Sequence, residues 1–460
     1  MIDPRPNHMK KYAEHEHRRE IPQGNSSKEI EVEAGYHIEP VAMGFTYPTS
    51  ITFDDIGNIY IGEAGFSYGP AKAEGGGKIK RIDPYGNVTT IASGFDSPLT
   101  GVTWHKGCFY VATGDIKGKI YVADTYGNSR VLISGLPTGG DHYTSNIVFD
   151  KYDKMYFGTG TSTNSSVVGL DNFMMGWLAN YPDKHDIPPI DYVLTGKNYR
   201  SLNPFKFSNP EFVYTGSFKP LGEPCESGEM IKGSLKANGV IYRANADGSN
   251  LEQYAIGLRN PYALNFSLEG KLICIDQGYD ARGSRPIANA PDPMYEIEQG
   301  GWYGWPDYVA GIPVTDPIFQ PPNGEVPEFV LAEHPPVAGK LRSVFEVHAA
   351  ATHFDFSRNP KFCTVGDAFV ALFGALTPMT GTLENHPGHR VVRVNMKTGE
   401  YYDFITGHHN GHSPLRPISV KFDPSGYALY ILDFGRMDVS QADMTPYAED
   451  GVLWRVTRNA

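Results

Sequence analysis

The sequence predicts an all-β chain folded as a six-bladed β-propeller with long loop insertions on one face, and three observations predict it. A strand–turn–strand pattern recurs six times along the 460 residues, and a second hairpin follows most of the copies. Glycine, at 51 residues, and aromatics, at 12%, suit turn-rich β-structure with large buried rings better than helices. No apolar run reaches the roughly 18 residues that a membrane-spanning helix needs.

Taken in order, the recurring hairpins are ITFDDIGNIYIGEAG from Ile51, VTWHKGCFYVATG from Val102, IVFDKYDKMYFGTG from Ile147, LNFSLEGKLICIDQG from Leu264, FDFSRNPKFCTVGDAFVALFG from Phe354 and VKFDPSGYALYILDFG from Val420. Each alternates between apolar and polar residues and turns at Gly or Asp. The second pattern is KIKRIDPYGNVTTIASGF from Lys78, KIYVADTYGNSRVLISGL from Lys119, VIYRANADGSNLEQYAIGL from Val240 and RVVRVNMKTGEYYDFITG from Arg390. Two hairpins per unit make four antiparallel strands, and radial packing buries both faces of each small sheet. VLWRVTRN near the C-terminus and IEVEAGYHIEPVAMGF near the N-terminus each lack a partner hairpin. The two are expected to complete one blade and close the ring.

A single domain is therefore expected over residues 29–460. Residues 1–28 are polar, contain no apolar signal segment, and are read as a solvated tail outside the fold. The repeats are unevenly spaced, leaving insertions at about 161–237 and 279–350 that are rich in Pro, Gly, Asn and aromatics. Such loops project from one propeller face, where ligands are usually held. Short helical turns are expected only around Asp171–Leu178 and Pro291–Glu296.

A formal charge of −12 argues against a nucleic-acid groove or an anionic-membrane patch, while leaving room for a local cationic pocket. Cys108, Cys225, Cys274 and Cys363 form no C-x-x-C or C-x-x-C-H pattern, which disfavours a zinc ribbon and covalent haem. They read as small buried hydrophobes.

Polar clusters stand at strand ends, where blades meet the axial mouth. In TGGDHYTSN, His142 follows a glycine pair at a strand start. An imidazole titrates near neutrality, so one facing a pocket can take a hydroxyl proton; a structural hydrogen bond is the alternative reading. GLRNP sets Arg259 and Asn260 before a rigid proline. A forked cation and an amide there suit a planar oxygen-rich ligand, or else a blade-capping turn. In DQGYDARGSR, Gly278 allows close backbone approach, and its carbonyl with that of Tyr279 suits a hard cation such as calcium. EQGGWYGWPDY offers two tryptophans and a tyrosine, either as a wall for a sugar or aromatic cofactor or as core.

Together and in this order, GDH, GLRNP, DQG and GGWYGWP resemble the glucose/sorbosone dehydrogenase family, soluble six-bladed propellers that use pyrroloquinoline quinone (PQQ) and calcium to oxidise aldoses. The likeness spans roughly residues 40–458, and GTSTNSSVVGLDN and GYDARGSRPIANAPDP resemble the longer bacterial branch. It implies oxidation of the C1 hydroxyl of an aldose or related cyclic hemiacetal to a lactone, by hydride transfer to PQQ. Electrons would pass to a separate acceptor such as a quinone, cytochrome or dye, with the protein exported to the periplasm or beyond. The resemblance makes His142 the base and puts Arg259 and Asn260 beside the quinone oxygens. Gln277 and Gly278 become cofactor contacts, the Gly278 and Tyr279 carbonyls calcium ligands, and Arg416 the partner of a cofactor carboxylate.

Two departures from the family pattern matter. Thr161 stands, by count, where the family has an aspartate near the catalytic histidine, so something else must orient His142. The family's cofactor-binding lysine of the fifth blade is missing; Arg390, or His389 beside it, is the nearest candidate, and His348 approaches the same mouth. Two rival classes remain in view. A calcium-dependent lactonase-type hydrolase requires Asp141, Asp276 and Asp433 to converge on the axis, and a non-catalytic propeller would bind a glycan or protein through its insertions.

Overall fold

Alternation within single strands decides the architecture. In the strand Lys154–Thr159, Met155 and Phe157 enter one apolar cluster while Tyr156 enters the next. In Leu272–Asp276, Leu272 and Cys274 face one way, and Ile273 and Ile275 the other. Successive side chains leave a strand on opposite faces, so a sheet apolar on both must be sandwiched between two others. Repeating that sandwich around an axis produces a ring.

The computed structural model describes residues 30–65, 73–206, 211–380, 387–407, 416–440 and 443–459, and the expected tail lies outside them. The first blade comprises Pro48–Phe53, Ile59–Glu63, Gly77–Ile82 and Val88–Phe95, and the second Leu99–His105, Cys108–Thr113, Gly118–Ala123 and Ser129–Leu136. The third holds Val148–Phe149, Lys154–Thr159, Val240–Asn245 and Glu252–Ile256, and the fourth Pro261–Phe266, Leu272–Asp276, Asp292–Glu296 and Lys340–Phe345. Ala351–Phe356, Ala368–Leu372, Arg390–Val394 and Tyr401–Gly407 form the fifth blade. The sixth pairs Pro417–Phe422, Ala428–Asp433 and Gly451–Arg458 with Tyr36–Phe45, so the termini close the ring as expected. The N-terminal segment does more than expected: Ile30–Val32 adds a fifth strand to the fifth blade before the chain crosses to the sixth.

One apolar cluster fills each interface between neighbouring blades. Deleting a ring such as Phe157, wholly buried between the second and third blades, would cost about 3–5 kcal/mol. Side chains of the inner strands also stitch blades together. Ser50 and Thr52 accept the Val102 and Trp104 N–H groups, the Asn146 amide brackets Leu264, and Asp355 accepts the Phe422 N–H.

Two helical turns, Leu170–Met174 and Trp177–Asn180, lie where the first short helix is expected. The second expectation fails, because Asp292–Glu296 is a strand. Met294 and Tyr295 point into different interfaces, which only an extended segment inside the stack allows. The insertions fold over one end on a core of their own, built from residues such as Tyr192, Phe218, Trp302, Trp305 and Phe319.

Candidate active site

Three blades begin the same way. Pro48, Pro261 and Pro417 each open an inner strand and pair across with a carboxylate that ends the next strand: Glu63, Asp276 and Asp433. Each carboxylate reaches back to backbone N–H groups ahead of its proline. Glu63 accepts from Thr46 at 2.9 Å, Asp276 from Arg259 and Asn260 at 3.1 and 2.7 Å, and Asp433 from Arg416 at 3.0 Å. Proline has no N–H of its own and a fixed φ, so this bridge sets the direction in which the preceding side chains leave. Arg259, Asn260 and Arg416 are thereby aimed from strand starts at one end of the axis.

At that end lies a cavity of about 210 Å³, whose lining includes His142, Arg259, Asn260, Gln277, Arg282 and His348. Apolar side chains, Tyr262, Phe373, Leu376, Ile418 and Phe434 among them, also line it. His142 and Arg259, which the sequence separates by more than a hundred residues, thus face one space. Gly160 shows how tightly the polar side is packed. A Cβ there would come within 2.4 Å of the His142 Cβ and 2.8 Å of the Asn260 Oδ1.

His142 is buried, and its Nδ1 lies 2.9 Å from the Thr161 carbonyl and 3.2 Å from the Thr161 hydroxyl. The hydroxyl gives its own proton to the Thr163 carbonyl at 2.6 Å, so Nδ1–H donates and Nε2 keeps the lone pair. Thr161 therefore orients the ring through oxygens that carry no charge. Burial, and then the nearby Arg259 guanidinium, push the His142 pKa down to about 3. The imidazole is neutral across the physiological range.

Arg259 commits four of its five N–H donors. Its Nη2 donates to Asp280 at 3.0 Å and to the Asn164 side chain at 2.9 Å, Nε to the Asn164 carbonyl at 3.2 Å, and Nη1 to the Gln277 carbonyl at 3.3 Å. Burial alone would raise the Asp280 carboxyl, but Arg259, with His348 and Arg282, holds it well below the usual carboxylate range. Arg282 meets Asp141 and Asp171 at 2.6 Å and Asp280 at 3.1 Å, tying both insertions to the residue next to His142. The sequence run DQGYDARGSR contains Arg282 and its near partner Asp280, but the other two carboxylates, Asp141 and Asp171, come from distant segments. Asn164 and the Thr161 carbonyl escaped sequence reasoning for the same reason.

The remaining expected contacts divide. Asn260 donates to the Gln277 Oε1 at 2.8 Å, and Gln277 donates to the Ala351 carbonyl at 3.0 Å, which fixes both amides along the cavity floor. Gly278 and Tyr279 line the cavity, and among the described residues neither carbonyl oxygen accepts a hydrogen bond. Gly278 admits no side chain, since a Cβ would meet the Pro291 and Ala290 carbonyl oxygens at 2.3 and 2.6 Å. Free and crowded carbonyls beside Asp280 and Asp292 have the chemistry of a hard-cation site. Arg416 stands one layer back, its guanidinium 5.2 Å from the centre of the Phe373 ring that forms the wall. Its Nη1 is buried without a partner among the described residues, and burial pushes its pKa down to about 10. A buried guanidinium with an orphaned N–H behind a flat aromatic wall suits an anionic, planar ligand.

Other expectations are corrected. Arg390 is not brought to the cavity; it lies between Glu346 at 2.8 Å and Asp403 at 3.2 Å, held by carboxylates on its own blade and the loop before it. His389 packs against Gly374 instead of lining the cavity, while His348 does line it, 3.5 Å from Asp280. Trp302 and Trp305 form no ligand wall. Both are buried in the insertion core, their indole N–H groups donated to the Tyr192 hydroxyl and the Asn164 carbonyl. The carboxylates of a lactonase axis do not converge either: Asp276 and Asp433 hold backbone N–H groups, and Asp141 holds Asn172, Trp177 and Arg282. Among the described residues, no group of three or more His, Cys, Asp or Glu is placed to hold a metal ion.

No family model matches the chain. Quinoprotein glucose dehydrogenase B of Acinetobacter calcoaceticus is 28% identical over 188 residues, 41% of this chain and 30% of that protein. The chain thus aligns with under a third of the length of the curated relative it matches. The PQQ domain of pyranose dehydrogenase from Coprinopsis cinerea superposes with a TM-score of 0.57 at 14% identity, over 93% of this chain and 97% of that one. The PQQ-bound aldose sugar dehydrogenase of Streptomyces coelicolor gives 0.51 at 16% identity, over 93% and 100%. Part of the sequence is thus similar to a quinoprotein glucose dehydrogenase, and the whole chain shares the fold of the PQQ domain of pyranose dehydrogenase and of the PQQ-bound aldose sugar dehydrogenase.

Proposed function

We propose that this protein is a PQQ- and calcium-dependent dehydrogenase that oxidises the C1 hydroxyl of an aldose, or a related cyclic hemiacetal, to a lactone. The observation that carries the reading is the neutral imidazole of His142 and the guanidinium of Arg259 on one cavity that apolar side chains also line. When bound, PQQ with calcium supplies the two-electron acceptor for the C1 hydride. Asn260, Gln277 and Arg259 would hold the quinone edge, the Gly278 and Tyr279 carbonyls would face the calcium ion, and Arg416 would take a carboxylate.

The chain's own part is to place and move a proton. With Nδ1–H committed to Thr161, the Nε2 lone pair of His142 accepts the C1 hydroxyl proton as the hydride leaves. Arg259 discourages the imidazolium that results, so the proton passes on instead of resting on the ring. Arg259, held by Asn164 and Asp280, would stabilise negative charge developing in the cavity with little reorganisation. Tyr262, Phe373, Leu376 and Ile418 would help exclude water from the cavity when it is filled.

No helix among the described residues is long and apolar enough to cross a membrane. Following the family resemblance, we place the enzyme in the periplasm or outside the cell, passing electrons to a separate acceptor. The test is dye reduction by protein loaded with PQQ and calcium, across a panel of aldoses. Reduction that requires both cofactors and is lost in His142→Ala supports the reading. Lactone hydrolysis with metal alone would replace it with the hydrolase.

A further inference from the structure

Asp186 is wholly buried and does not line the cavity. Taking a carboxylate out of water is costly unless something answers its charge. Here neutral donors answer it: Oδ1 accepts the Ser162 N–H and Oδ2 the Thr163 hydroxyl, each at 2.5 Å. The first insertion delivers the group to that place. Asn238 brackets Ile187, the next residue, accepting its N–H with the side chain and giving its own backbone N–H to the Ile187 carbonyl, both at 2.9 Å. The same Asn238 side chain donates to the Gly160 carbonyl at 3.0 Å and the Pro137 carbonyl at 2.6 Å. The segment carrying Asp186 is thereby fixed to the stretches that lead to Thr161 and to His142.

The Ser162 N–H belongs to the same peptide unit as the Thr161 carbonyl, and that carbonyl takes the His142 Nδ1–H at 2.9 Å. A planar, resonant amide passes polarisation from one side to the other. Negative charge held at its N–H makes its carbonyl oxygen a stronger acceptor, which tightens the bond to the imidazole and enriches Nε2. The order is carboxylate, amide, imidazole, with no further group between. Neighbours brace the amide: the Thr161 hydroxyl donates to the Thr163 carbonyl at 2.6 Å, and the Ser162 carbonyl accepts the Asp141 N–H at 3.0 Å. Gly140 lets the two stretches approach, since a Cβ there would meet the Ser162 Cα at 2.5 Å.

We infer that Asp186 is a positioning residue for proton transfer at His142, acting through the 161–162 peptide to hold the proton on Nδ1 and to return to Nε2 part of the basicity that burial and Arg259 remove. It touches neither substrate nor cofactor. The inference rests on the role His142 has in the dehydrogenase reading, while the coupling of the two side chains is measurable without turnover.

Proton and nitrogen NMR of histidine-labelled protein loaded with PQQ and calcium reads that coupling, the His142 signals being those that His142→Gln removes. At about pH 8 the carboxyl is ionised, above the value of about 7 to which burial pushes it. We expect the parent to carry its proton on Nδ1, and the resonance of that proton to move upfield in Asp186→Asn, which keeps an acceptor for Ser162 and removes the charge. In the same variant kcat should fall about tenfold, the equivalent of exchanging a charge-assisted hydrogen bond for a neutral one. KM and PQQ affinity should stay within about twofold, because Asp186 lies outside the cavity. An Nδ1 resonance that matches the parent's, or an unchanged kcat, overturns the inference. So does a parent that carries the proton on Nε2, whether or not the variant folds. The upfield shift in a protein that oxidises no aldose leaves the coupling standing and removes the dehydrogenase.

Discussion

Arg259 and Arg416 precede the inner strands of the fourth and sixth blades by the same device, a backbone N–H given to an aspartate that ends the next strand, across from the strand-opening proline. Their guanidinium groups end in opposite conditions. Arg259 meets Asp280, both oxygens of Asn164 and the Gln277 carbonyl, whereas Arg416 keeps a buried Nη1 with no partner among the described residues. The contrast teaches that one guanidinium is held by the scaffold on several sides, while the other has an N–H left over that a ligand could take.

Arg259→Met should have the largest effect. It strands Asp280 and Asn164, costing about 3 kcal/mol in urea unfolding, and lowers both PQQ affinity and turnover. A variant as stable and active as the parent would remove the contrast. Arg416→Met should do the reverse to the unloaded protein, leaving its urea midpoint unchanged or raised, because it removes a buried unpaired cation. PQQ affinity should then fall about tenfold to a hundredfold in fluorescence titration.

A smaller effect tests the shared device. Burial pushes Asp276 and Asp433 up to about 7, above their unfolded value of 3.8, so the folded state binds the extra protons. Their contribution to stability is fully present below about pH 4 and is lost as the pH rises through about 7. Asp276→Asn and Asp433→Asn should each flatten the pH dependence of the urea midpoint over that window, by matching amounts. Smallest of all, Arg390→Ala should shift PQQ affinity less than about twofold, since its ion pairs are partly exposed and away from the cavity.

The same division separates what the sequence made legible from what it did not. Period-two alternation in the inner hairpins and glycine at their turns report blades directly, since both follow from local strand geometry. GLRNP and DQG are legible for a related reason: strand-end residues next to a proline or glycine have few directions to go. Partners supplied across the ring are not. Asn164, Asp280 and the triple grip on Arg282 depend on how two insertions fold over the mouth, and no local period encodes that. Asp292–Glu296 misleads in the same way, because its strand partner Lys340–Phe345 lies beyond an insertion. The tryptophans of EQGGWYGWPDY were ambiguous for want of a neighbour, and Tyr192 and Phe218 decide for the core.

The pH behaviour of the site sharpens the role of Arg259 further. With His142 held at about 3, its protonation should impose no acid limb on kcat/KM between pH 5 and 7. Removing the Arg259 charge should move such a limb upward, toward the ordinary histidine range.

The central claim is that a neutral His142 takes the substrate proton inside a cofactor cradle that does not depend on it. The direct measurement is stopped-flow reduction of bound PQQ by a saturating aldose, comparing the parent with His142→Ala after PQQ affinity has been measured for each. The account predicts PQQ affinity within about threefold and a reduction rate lower by about a hundredfold to ten-thousandfold. A reduction rate within a factor of ten of the parent, with the cofactor equally bound, would contradict it.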